Sequence, residues 1–281
     1  MSCPGEIMRL TTALLCATAL VSASSALAAD LPTKKEPVAP AVVPQPAFSW
    51  TGFHFGIGGG AAYMQARDKS YASASYFTIS GASPVGAISN KSDLGKFGPF
   101  GTIEAGADYQ MDRFVVGAFT NFDFKSLSAK NTSTAYATVS GSAYSGRYHV
   151  WDKVGNNWDA GVRLGYLVTD RNLLYALGGY SGAQISSGIR LSAYHSGSFL
   201  GSIGASDSGW KSGYVLGAGW ESAITDHVTF KVEYRYADYG KVTSSNHSSY
   251  ATGSFTGYGV TVGHSADISV QSVRAVLGYK F

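Results

Sequence analysis

The sequence predicts an all-β fold, an eight-stranded antiparallel up-and-down transmembrane β-barrel, and three observations carry that expectation. The composition is rich in Gly (35), Tyr (18) and Phe (14) and only 14% charged, which is poor in the Leu, Glu and Lys of soluble helices and suits strands and turns. Short turns containing Asp recur at a nearly constant interval along the chain. Between them run stretches in which apolar and polar side chains alternate with period two.

Residues 1–28 are expected to be an export signal, because Arg9 precedes an apolar run from Leu10 to Leu27 and Ala26-Leu27-Ala28 offers the small residues a signal peptidase needs. Both cysteines, Cys3 and Cys16, fall inside that segment, so the mature chain would carry neither a disulfide nor a thiolate site. Residues 29–49 are expected to form a Pro-rich periplasmic linker. Pro32, Pro37, Pro40, Pro44 and Pro46 lie there, five of the chain's eight prolines, and proline favours an extended conformation outside any sheet. Residues 50–281 are then the outer-membrane barrel. Beyond the signal no stretch approaches the ~20 consecutive apolar residues of a spanning helix, whereas a spanning strand needs only about 9 to 11. The net charge of +3 is small and the basic residues are scattered, so no nucleic acid is expected as a partner.

The turns are Met111-Asp112-Arg113, Thr169-Asp170-Arg171-Asn172 and Thr225-Asp226-His227. Asp112, Asp170 and Asp226 stand 58 and 56 residues apart, and another 55 reach Phe281, the period of a repeated hairpin. On that grid the strands fall near 50–66, 98–110, 114–125, 156–168, 173–184, 210–223, 228–239 and 267–281. Long loops are expected near 68–97, 126–155, 185–209 and 240–266. Alternating short and long connections suit a barrel with periplasmic turns and external loops.

Parity fixes which way each strand faces. In the seventh strand Val228, Phe230, Val232, Tyr234 and Tyr236 take one face, and Thr229, Lys231, Glu233 and Arg235 the other. The last strand repeats this, with Val273, Ala275, Leu277, Tyr279 and Phe281 opposite Ser272, Arg274 and Lys280. In lipid the apolar rows face outward, and an unpaired sheet edge would cost several kcal/mol per lone amide or carbonyl, so the sheet must close. Eight strands leave an interior that side chains can fill. The inward charges are Glu104, Asp108, Asp123, Asp159, Glu221 and Glu233 against Lys125, Arg163, Lys231, Arg235, Arg274 and Lys280, six acids facing six bases. Such a balance predicts a paired network plugging the lumen; the alternative is a narrow, weakly selective diffusion pore.

The mature start Ala29-Asp30-Leu31-Pro32, the segment Ser49-Trp50-Thr51-Gly52-Phe53-His54-Phe55-Gly56 and the ending Val273-Arg274-Ala275-Val276-Leu277-Gly278-Tyr279-Lys280-Phe281 resemble the small outer-membrane porin-family and surface-antigen barrels of alphaproteobacteria, of the opacity type. The resemblance covers signal, linker and barrel. It implies a location in the cell outer membrane after export through the inner membrane, and contact with outer-membrane lipid and lipopolysaccharide. It also implies delivery by periplasmic chaperones to the barrel-assembly machinery, with Tyr279 and Phe281 as the assembly signal. The implied role is structural and surface-exposed in the envelope. A diffusion porin is one alternative, and a surface adhesin or haem-binding protein using the long external loops, with host or surface ligands, is another.

Other chemistry finds little support. Gly56-Ile57-Gly58-Gly59-Gly60-Ala61 fits a dinucleotide fingerprint, yet no helix follows it and lumen-facing glycines are expected instead. His149, His195, His247 and His264 lie in or beside the loops without metal-ligand spacing and are expected to be solvated, so no metal or cofactor is expected. No Ser, His and acid set stands out, and an enzyme is not expected.

Overall fold

The computed structural model describes residues 48–78, 81–139, 142–253 and 256–281. The expected export signal and linker residues 29–47 lie outside them. The strands are β1 (Gly52–Thr78), β2 (Gly81–Met111), β3 (Phe114–Lys125), β4 (Leu127–Val139), β5 (Ser142–Thr169), β6 (Asn172–His195), β7 (Ser198–Ala223), β8 (Val228–Gly253) and β9 (Thr256–Lys280). They form one antiparallel sheet in the order β3-β2-β1-β9-β8-β7-β6-β5-β4, and β3 also pairs with β5, which closes the ring. Ser126 alone separates β3 from β4, and both lie along β5, from Phe114↔Tyr166 to Asp123↔Asn157 and onward from Leu127↔Val154. They therefore make one wall, and the barrel has eight.

The predicted long loops are corrected by the pairing. Residues 68–97, 126–155, 185–209 and 240–266 are mostly strand, continuing the hairpins in register. β1, β2 and β5 to β9 run 24 to 31 residues, more than twice what a bilayer requires. The tight turns sit where the Asp spacing puts them. Asp112, at φ 52°, supplies the left-handed residue the β2–β3 reversal needs. A further two-residue reversal, Ser196-Gly197 at φ 47° and 86°, closes the β6–β7 hairpin inside the expected loop.

Polarity along the strands locates the membrane. On the outer face of β1, Phe53, Phe55, Ile57 and Tyr63 are exposed, and Gln65, Arg67 and Lys69 follow. On β2, Tyr109, Ile103 and Phe97 are exposed, with Asp93 and Lys91 beyond. Phe53 to Tyr63 is eleven residues, the length of one tilted crossing. Phe53 at 68%, Ile57 at 69% and Val162 at 63% exposure would be untenable in water, so this belt faces acyl chains. Inside, the ionic side chains occupy the level of the belt. Above it the same inward positions carry Met64, Ala66, Ile185, Ile189, Val242, Val262, Ile268 and Val270, all buried.

Glycine is required where β1 meets β9. A Cβ on Gly58 or Gly60 would fall 2.1 Å from the Ala275 carbonyl oxygen or 2.0 Å from that of Val273. These glycines serve strand packing, as expected of a fingerprint with no helix behind it.

Candidate functional site: the barrel interior

The structure places all twelve inward charges of the sequence reading in the interior, none more than 9% exposed. Strands mostly two or three apart around the ring bring opposite charges together across the lumen. Arg163 on β5 donates to both oxygens of Asp108 on β2, at 2.8 and 2.5 Å, and to Glu221 on β7 at 2.8 Å. Arg235 on β8 pairs with Asp159 at 3.0 Å and with Glu233 on its own strand. Arg274 on β9 grips Asp123 through two hydrogen bonds of 3.1 and 3.0 Å and lies 3.6 Å from Glu233. Lys231 pairs with Glu104, and Lys125 stands 4.0 Å from Asp123. Lys280 donates instead to the backbone oxygen of Thr51, at 2.7 Å.

Aromatic faces and neutral polar groups complete the layer. Arg163 stacks over Tyr175, Arg235 over Phe119 and Arg274 over Phe100, at 5.1, 4.9 and 5.1 Å from the ring centres. Asp159 accepts from Asn121, Asn157 and Ser181 at 3.1, 2.9 and 2.6 Å, Asp123 accepts from Thr102 at 2.7 Å, and Glu233 accepts from the Tyr175 hydroxyl at 2.8 Å. His54 lies 3.2 Å from Asp108. None of these partners was expected from sequence. Parity alone would have found His54, Thr102 and Asn121. It is blank on β6, where Leu173, Tyr175 and Leu177 are buried beside an exposed Leu174.

The strand-free start of the described chain covers the mouth at the short-turn end of the barrel. Trp50 is 1% exposed; its backbone N–H donates to Gln110 at 2.8 Å and its indole N–H to the Asp170 carbonyl at 3.2 Å. Phe48 packs edge-on against it at 5.0 Å, under the cations of Lys280 and Arg171. Trp50 lies two residues before β1, and Phe48 is buried against the barrel. At the same rim the Tyr279 and Phe281 rings meet at 5.1 Å and remain exposed.

Above the belt the histidines divide. His247 is exposed and bonds Thr261, and His149 bonds Thr132 and stacks on Trp151. His264, expected to be solvated, is 1% exposed, turned inward by β9 beside Asp68 and Asp152. Burial first, and then the charge of Asp152, pushes the Asp68 carboxyl up to about 8. In the segments expected as long loops, the aromatic side chains of Tyr71, Tyr136 and Phe199 are exposed.

A closed ring of strands with an apolar belt outside and paired ions within defines a transmembrane β-barrel of the outer membrane. The chain belongs to the outer membrane protein beta-barrel domain family, whose model matches residues 13–281. It is 31% identical over 229 residues to the 31 kDa outer-membrane immunogenic protein of Brucella melitensis, covering 81% of this chain and 87% of that one. It is 27% identical over 260 residues to the 25 kDa outer-membrane immunogenic protein of Brucella abortus, covering 92% of each. The crystal structure of the outer membrane protein OprG from Pseudomonas aeruginosa aligns over 82% of this chain and 97% of its own, at 12% identity and a TM-score of 0.37.

Proposed function

We propose that the protein is a sealed structural barrel of the outer membrane that presents its long hairpins at the cell surface and conducts no solutes. The observation that carries this reading is the interior layer at belt level. Three arginines there each bridge two carboxylates from different positions of the wall, and each lies over an aromatic ring. Opening a path would break such pairs and leave buried charges unmatched, which costs several kcal/mol each. Phe48 and Trp50 add a second barrier at the periplasmic end.

The outer face fits the partners expected of such a barrel. Acyl chains bathe the belt, and the exposed Arg67, Lys69 and Lys91 just above it suit the phosphates of lipopolysaccharide. Exposed Tyr279 and Phe281 are free for the assembly machinery to read. The 31 kDa and 25 kDa relatives are named as outer-membrane immunogenic proteins, which supports surface presentation of the hairpins. A non-enzymatic role is the reading preferred, in keeping with relatives named as outer-membrane immunogenic proteins.

Planar-bilayer recording on the purified, folded protein tests the proposal. No stepwise current is expected. A steady single-channel conductance that changes when Glu104 or Arg274 is substituted would establish the narrow-pore alternative instead.

A further inference from the structure

We propose that Asp68, Asp152 and His264 form a binding site for a divalent transition metal, zinc above all, inside the external part of the barrel. The three residues come from opposite walls. On one side β1 and β9 set Ser70 directly opposite His264, with Asp68 two residues from Ser70 on the same face. On the other, β5 and β6 set Asp152 directly opposite Ser187. One ligand atom from each of the three lies within 4.8 Å of the others. His264 Nε2 is 3.7 Å from Asp68 Oδ1 and 3.5 Å from Asp152 Oδ1. Ligands of tetrahedral zinc at its usual bond lengths sit about 3.4 Å apart, so small side-chain shifts would close the set.

The carboxylates themselves point to a missing cation. Asp68 is 2% exposed, and both of its oxygens, with Asp152 Oδ2, are buried without a hydrogen-bond donor. Buried carboxylates are ordinarily paired or bound to metal. Among the described residues no lysine or arginine forms an ion pair with either one; the cationic side chains of the interior lie below, at belt level. Two carboxylates and a neutral imidazole sum to a charge that a divalent ion cancels, and the next inward positions along the strands, Ala66, Ile189 and Val262, are apolar and buried.

Supporting groups are in place. Ser70 Oγ is 3.3 Å from His264 Nδ1 and can accept its proton, which leaves Nε2 free to coordinate. Ser187 donates to Asp152 Oδ1 at 2.6 Å and holds that carboxylate toward the centre; its Oγ also lies 2.9 Å from Nε2. The donor set of one imidazole and two carboxylates favours zinc over calcium, which prefers six to eight oxygens. A bound ion would tie the two walls together above the membrane. The competing account is a proton shared between Asp68 and Asp152.

The full chain is refolded into detergent with and without zinc sulfate, dialysed, and assayed for zinc per protein. About one ion per barrel is expected in wild type. Affinity should fall at least tenfold in Asp68→Asn and in His264→Gln and stay unchanged when His149 and His247 are both replaced by Gln, with a heat-modifiable gel shift reporting that each variant folds. X-ray absorption of the zinc-loaded wild type, which needs no variant, should show a single imidazole among oxygen ligands. Equal zinc in wild type and His264→Gln would overturn the proposal. So would absence of zinc in wild type together with a higher melting temperature for Asp68→Asn, the signature of a shared proton. Either result leaves the sealed-barrel reading intact, since that rests on conductance.

Discussion

Arg274→Met is the most informative single change to the ionic layer. Methionine keeps much of the side-chain volume against Phe100 and removes only the charge and its donors. Arg274 is 2% exposed and supplies two of the hydrogen bonds to Asp123, at 3.1 and 3.0 Å. Without it Asp123 retains Thr102 at 2.7 Å, Asn121 at 3.1 Å and Lys125 at 4.0 Å, too little to replace a bidentate guanidinium. Breaking a buried pair by removing one partner costs about 3–5 kcal/mol, chiefly because the surviving charge is stranded. That loss is expected in urea titrations of the folded barrel in detergent, followed by tryptophan fluorescence and by gel mobility without boiling. Replacing Asp123 by Asn in the same chain removes the stranded charge, so the double variant should lose less than the sum of the two single losses, by roughly 0.5–3 kcal/mol. If Arg274→Met unfolds within about 0.5 kcal/mol of wild type, the change behaves as a surface substitution does. The interior charges would then be solvated by lumen water, and the reasoning for a sealed barrel would fail.

Two further outcomes test the ends of the barrel. Trp50→Ala empties the space between Gln110 and Asp170 and should cost about 3–5 kcal/mol in the same titration; an effect below about 1 kcal/mol would show that the indole does not pack across the mouth. Phe281→Ser keeps the backbone bond from Phe281 to the Phe53 carbonyl, 3.0 Å, and removes an exposed ring, so equilibrium stability should change by less than about 1 kcal/mol while insertion by the assembly machinery slows. Equal insertion rates in reconstituted vesicles would remove the terminal ring from that role.

The belt was legible in sequence because there the two faces differ as much as side chains can. Val228 to Tyr236 alternates aromatic or branched residues with Lys231, Glu233 and Arg235, and the structure keeps that parity throughout. The hairpins above it were not legible, and the reason is a reversal of polarity at constant parity. On β9 the inward residues run Lys280, Gly278, Val276, Arg274 and Ser272 within the belt, charged or polar except at Gly278 and Val276, and then Val270, Ile268, Ala266 and Val262 above it, while the outward row changes from Leu277 and Val273 to Ser269 and Asp267. Lipid outside demands apolar outer faces; water outside demands polar ones, and the interior compensates each time. A pattern search that assigns one polarity to each face loses the strand at the crossing point. Above it the outer face mixes Ser, Thr and Gly with scattered charges and aromatics such as Arg67, Lys91 and Tyr71, so the remaining contrast is weak and the segments resemble loops. The same reversal hid His264. Judged by the rule for a loop it belongs in water, but judged by the parity that Arg274 already fixes it must point inward, onto the level where Asp68 and Asp152 arrive from the other strands. Spacing along the chain could not show this cluster, because its members lie 84 and 112 residues apart and meet only when the ring closes.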